Sequence, residues 1–96
     1  MKPKSMNEVV DGERYHTDTS NILASDEKEG VFLFRALNSN YFVQRQGKKE
    51  SLEVLPMQAA EALYKTLPKK HQTLVASFPK LHGGVGMDTV TSYDDD

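Results

Sequence analysis

Hydrophobic and polar positions change period along this chain, and the changes mark out its elements. Val31-Phe32-Leu33-Phe34-Arg35-Ala36-Leu37 and Tyr41-Phe42-Val43-Gln44-Arg45 are runs of strand-forming residues. Asn38-Ser39-Asn40 lies between them, and Asn tolerates the positive φ of a tight turn, so a β-hairpin is predicted. With a two-residue loop at Asn38-Ser39, Ala36 faces Tyr41, Phe34 faces Val43 and Phe32 faces Arg45. One face then carries Phe32, Phe34, Ala36, Tyr41 and Val43 and is expected to be buried. The other carries Leu33, Arg35, Phe42 and Gln44 and is expected to be half exposed. A three-residue loop changes the partners, and a one-residue slip reverses the faces on one strand.

Ser51–Leu55 alternates and reads as a further strand. From Met57 the period lengthens: Met57, Ala60, Leu63, Tyr64 and Leu67 line one side of an amphipathic helix, with Pro56 at its first position. Pro68 ends that helix and opens the next, where His71, Leu74, Val75 and Phe78 suit a short second helix stopped by Pro79. Upstream, Glu13–His16 and Ile22–Ser25 read as short strands on either side of a Thr17–Asn21 turn. Residues 1–12 are expected as a flexible N-terminal arm or weak first strand ending at the turn dipeptide Asp11-Gly12. Residues 80–96 are expected as a flexible acidic tail. The prediction is a single α+β domain over residues 13–79. It is a small antiparallel sheet of three to four strands, a meander or hairpin, packed against two short C-terminal helices.

Length and charge narrow the function classes. Ninety-six residues make one domain at most. There are no cysteines, which excludes a disulfide scaffold, a thiolate metal site and cysteine catalysis. No apolar run is long enough to span a membrane. The basic opening Met1-Lys2-Pro3-Lys4-Ser5 is followed by no apolar stretch, so no signal peptide is expected and the chain reads as cytoplasmic. The net charge of -2 hides a pattern. Residues 1–30 are net acidic, residues 31–82 net basic, and residues 83–96 carry only Asp88, Asp94, Asp95 and Asp96 as charges. A basic middle flanked by acidic ends suits an acidic partner or phosphates, with the tail able to compete for the same surface.

The segment Tyr15-His16-Thr17-Asp18-Thr19-Ser20, followed by Ile22-Leu23-Ala24, resembles the opening of a family of small bacterial and phage proteins in which a Tyr-Asp-Thr-Glu-Thr-Ala run precedes Ile-Ala. Leu33-Phe34-Arg35 and Tyr41-Phe42 match that family's Leu-Tyr-Arg, tight turn and Tyr-Phe at the same spacing. Pro56-Met57-Gln58 and Glu61-Ala62 match its helix start. The similarity covers residues 13–78. Ser39 stands where the family has a turn glycine, and Gln58 where it has a capping Ser or Thr. The family has no assigned activity. The resemblance implies a setting among phages and mobile elements, where small proteins bind and adjust a host machine.

Catalytic chemistry is sparse. His16, His71 and His82 have no metal-ligand spacing. His16 and Asp18, with Thr17 and Thr19, could share a face as an acid–base pair, but the same residues are what a turn needs. No nucleophile or oxyanion donor accompanies them. Gly83-Gly84-Val85-Gly86 lacks the Lys-Ser/Thr of a phosphate loop. Met87–Tyr93 alternates and could add to a sheet edge. No enzyme, no cofactor and no metal site is expected. The expected function is that of a small interaction protein, monomeric or homodimeric and off the membrane. It binds a host protein through the mixed hairpin face and the basic middle, with inhibition of a host defence system as one concrete version. The candidate partner-binding residues are Arg35, Phe42, Arg45, Lys48, Lys49, Lys65, Lys69 and Lys70. The alternative is a nucleic-acid-binding protein that stacks bases on Phe42 amid these cations, with an affinity that falls steeply with salt.

Overall fold

The computed structural model describes residues 2–82. The tail expectations for residues 83–96, including the glycine run and the alternating Met87–Tyr93, lie outside the described residues. The chain is α+β, as its patterning predicts, but the sheet is larger. Strands β3 (Asn21–Asp26), β4 (Val31–Arg35), β5 (Tyr41–Arg45) and β6 (Ser51–Leu55) form an antiparallel meander, and β7 (Lys69–Lys70) adds to the free side of β3. The order across the sheet is β6-β5-β4-β3-β7. A separate two-stranded sheet pairs β1 (Asn7–Val10) with β2 (Glu13–His16). Helices α1 (Met57–Thr66), α2 (Leu74–Ser77) and α3 (Pro79–His82) follow β6.

Of the segment expected as a flexible arm or weak first strand, Asn7–Val10 is a strand and contributes half of a hairpin. Val10 pairs with Glu13 across Asp11-Gly12, and both turn residues have positive φ, 52° and 80°. A two-residue turn of this hand matches strand twist, and Gly at its second position avoids the steric cost of a Cβ there. The hairpin lies against the large sheet through Tyr15 and Val10. The chain before it runs over the same face. Gln44 accepts the Lys4 N–H at 2.9 Å and donates to the Lys4 carbonyl at 2.7 Å.

The central hairpin is slipped by one residue from the expected register. Ser39, with φ 71°, takes the left-handed position that ends a three-residue loop, so Ala36 N–H donates to Asn40 O at 2.8 Å. Phe34 then faces Phe42, Leu33 faces Val43 and Arg35 faces Tyr41. Two cores result, one on each face of the sheet. Toward the helices lie Leu23, Ala24, Leu33, Tyr41, Ala60, Tyr64, Leu67 and Phe78. Toward the β1–β2 hairpin lie Tyr15, Phe32, Phe34, Ala36 and Phe42. In the first core Phe78 stacks on Tyr41 at 4.8 Å and meets Tyr64 edge-on at 5.6 Å. In the second, Phe34 stacks on Phe42 at 5.0 Å and Tyr15 meets Phe42 edge-on at 5.6 Å. A bulge at Leu23 lets consecutive residues Leu23 and Ala24 both serve the helix-side core.

The mixed, half-exposed hairpin face is thus corrected: Phe42 and Gln44 are fully buried. The second helix is also shorter than expected. Lys69–Lys70 is strand, because the Leu23 carbonyl receives the N–H groups of His71 and Gln72 and holds this segment on the sheet edge. The helix starts only at Leu74, where Thr73 accepts the Ala76 N–H at 3.1 Å. Pro56 is the residue before α1 rather than its first turn.

Phe42→Ala should cost about 3–5 kcal/mol, as for a large aromatic removed from a core. Urea unfolding checks this. A change within about 0.5 kcal/mol, the range of surface substitutions, would place Phe42 on the outside instead.

Candidate functional site

The structure separates the residues expected to form one basic, aromatic surface. Phe42 is in the core. Arg45 pairs with Glu53 at 2.9 Å diagonally across β5 and β6. Lys69 pairs with Glu27 at 2.9 Å, and that hydrogen bond and charge hold the Glu27 carboxyl below its usual range. Lys65 stands 4.0 Å from Glu61 one turn earlier. Lys70 folds back onto α1: its Nζ donates to the Tyr64 and Leu67 carbonyls and sits 4.8 Å over the Tyr64 ring. A cation there satisfies carbonyls that the helix end leaves open and offsets the negative pole. Arg35 is half-buried, 5.9 Å over the Tyr41 ring, with its Nε enclosed and unbonded. Lys48 and Lys49 alone project from the β5–β6 turn without an ion pair among the described residues. The basic middle is therefore interleaved with carboxylates and helix carbonyls. Its grouping in sequence does not become a grouping in space.

His16 and Asp18 are brought close, in a structural arrangement. The His16 Nδ1 accepts the Asp18 N–H at 3.2 Å, at the start of a one-turn helix over Thr17–Thr19. Asp18 takes the Ser5 hydroxyl at 2.8 Å, and buried Thr17 ties to Lys4 and Met6. These contacts join the N-terminal segment to the hairpin. A pair the spacing gave no hint of is Ser25 and His71, 2.9 Å apart between Oγ and Nε2. The Ser25 side chain is fully buried, so no substrate carbonyl reaches its Oγ. Burial, and then the Lys69 ammonium, push the His71 pKa down, with Glu27 opposing. No group of three or more His, Asp or Glu suited to a metal occurs among the described residues. No helix there is long and apolar enough to cross a membrane.

The feature best placed to meet a partner is the β6 edge. The two edges of the large sheet differ. β7 is two residues long and both are lysines, a short charged edge of the kind that resists pairing. β6 is five residues long, with one charge, Glu53. Antiparallel strands alternate the direction of their backbone groups. The Ala36–Asn40 hydrogen bond sets that alternation through β4 and β5, so Tyr41, Val43 and Arg45 turn their N–H and C=O toward β6. Ser51, Glu53 and Leu55 receive them, and the N–H and C=O of Leu52 and Val54 point outward, with no strand beyond among the described residues.

A groove of about 650 Å³ runs beside this edge. Its walls are β6 from Leu52 to Leu55 and the β1–β2 turn region, with Asn40 and Pro56 closing it. Val10, Tyr15, Leu52 and Val54 supply apolar surface, and Asp11, Glu13 and Glu53 the charge; among the described residues no lysine or arginine lines it. The β1–β2 hairpin makes one wall, so the groove depends on the part of the chain that read as an arm. The Asp11-Gly12 dipeptide between Val10 and Glu13 was the available signal, since Asp-Gly favours a two-residue hairpin turn. No family model, no curated protein and no solved structure matches this chain.

Because His71 favours its neutral form in the folded state, its contribution is fully present above the unfolded value near 6.5 and is lost as pH falls from there toward the lower folded value. The urea midpoint of the wild-type protein should therefore drop between pH 7.5 and 5.5 by more than that of His71→Gln. Equal drops would show that His71 does not carry this dependence.

Proposed function

We propose that the protein is a non-catalytic interaction module that holds an extended segment of a partner protein along β6 as an additional strand. One observation carries this reading: a five-residue edge with outward backbone groups at Leu52 and Val54 lies beside a part-apolar groove. Strand addition gives affinity through main-chain hydrogen bonds, and the groove gives specificity through alternate side chains. The resemblance to small phage and mobile-element proteins supplies the setting, in which the partner is a host protein whose action is adjusted by occupancy of this edge. Nucleic-acid binding has less support, since Phe42 is not on the surface and Arg45, Lys65, Lys69 and Lys70 have partners within the chain. A catalytic reading around His16 and Asp18 has less still, since the His16 ring caps the turn and the Asp18 carboxylate holds the Ser5 hydroxyl.

A proline at an outward edge position removes one donor without touching the ladder to β5. Tagged wild-type protein and Leu52→Pro, matched for thermal stability, should be compared in host lysate. A partner retained by the wild type and reduced at least tenfold on the variant is expected. Equal retention on both, or no partner above background, counts against β6 as the binding edge.

A further inference from the structure

Resting on the strand-addition reading, we infer that the segment taken by β6 is an extended peptide alternating apolar and cationic residues. The alternation follows from the geometry of the edge. Successive side chains of an added strand point to opposite faces of the sheet. Those on the hairpin side meet Leu52 and Val54 on β6 and Val10 and Tyr15 across the groove, so apolar side chains fit there. Those on the helix side run beside Glu53, which shares its face with Val43 and its charge with Arg45. Asp11 and Glu13 stand at the hairpin end of the same groove. Glu53, shared with Arg45, borders the helix-side positions, Asp11 and Glu13 border the hairpin end, and no lysine or arginine among the described residues lines the groove, so lysine or arginine is favoured there over aspartate or glutamate. Among the described residues Glu13 is held by the Asn38 amide alone, at 3.3 Å, which leaves it able to accept a further donor. Matched to β6, the paired stretch is about five residues, or roughly 17 Å.

The same charge pattern disfavours a second copy at this edge, since it would bring Glu53 against Glu53 when the β6 strands pair about their centres.

Three 11-residue peptides test this, each alternating Val or Thr with one polar type: Lys, Glu or Gln. Each is titrated into the full ¹⁵N-labelled chain at low and physiological salt. The Lys peptide should shift the amides of Leu52 and Val54, bind about tenfold or more tighter than the Glu peptide at low salt, and lose part of that advantage as salt is added. Glu53→Lys and Glu13→Lys, two exposed substitutions outside both cores, should each narrow the gap between the peptides. If the Gln or Glu peptide shifts the β6 amides as strongly as the Lys peptide, the charge inference is overturned while strand addition stands. If the Lys peptide binds without shifting Leu52 and Val54, or no peptide shifts them, both are overturned.

Discussion

The alternation of side chains along β4 and β5 is the constraint on which the rest of the molecule depends. A strand has two faces, and in this sheet both are covered, so the apolar side chains along the two strands of the central hairpin turn to one core or the other. The three-residue loop decides which. With Ser39 in the left-handed region, Phe34 and Phe42 stack on the hairpin side while Leu33, Tyr41 and Val43 turn toward the helices. A two-residue loop would send Val43 across from Phe34 and leave Phe42 without the Tyr15 edge that it meets. Register is costly to change here because each slip moves a large aromatic out of a filled position.

Both cores are small, and polar groups finish them. Buried Gln44 sits in the sheet with both ends of its amide bonded, its oxygen accepting the Lys4 N–H and the Gln46 side chain and its nitrogen donating to the Lys4 carbonyl, so a segment outside the strands is held across the sheet. The Tyr41 hydroxyl reaches the Ser77 carbonyl at 2.6 Å and the Tyr64 hydroxyl the Gln72 carbonyl at 2.5 Å, which fixes α2 and its approach against α1. Glu61 meets His82, and this contact seats α3; the hydrogen bond holds the Glu61 carboxyl below its usual range. With one sheet face under the helices and the other under the hairpin, the described part of the sheet ends at β6 and β7, and β6 is the longer and less charged of these two edges.

Much of this was legible from residue pattern, and the failures share a cause. The strands from Glu13 to Leu55 and the helix from Met57 follow from period and turn chemistry, because those signals are local. Phe42 was misplaced because a loop of two residues and one of three have the same composition at Asn38-Ser39-Asn40, and nothing in the strands themselves distinguishes them. The basic surface was misread because clustering of lysines along the chain says nothing of Glu27, Glu53 and Glu61, which arrive from other elements. The groove was missed because the Asp11-Gly12 turn was read only as the end of an arm or weak first strand, and its pairing of residues 7–10 with β2 against the sheet is a tertiary fact. Lys69–Lys70 joins the sheet only because β3 offers it an edge, a tertiary fact with no local mark.

Residue-resolved hydrogen exchange of the free protein tests the central claim, that this register fills two cores and leaves β6 open, most directly. The account predicts alternation along one strand: slow exchange at Glu53 and Leu55, whose N–H groups face β5, and fast exchange at Leu52 and Val54, whose N–H groups face outward. Slow exchange at Leu52 and Val54 with fast exchange at Glu53 would contradict it, because it would mean that β6 turns Leu52 and Val54 inward to β5 and does not present their backbone groups at the edge.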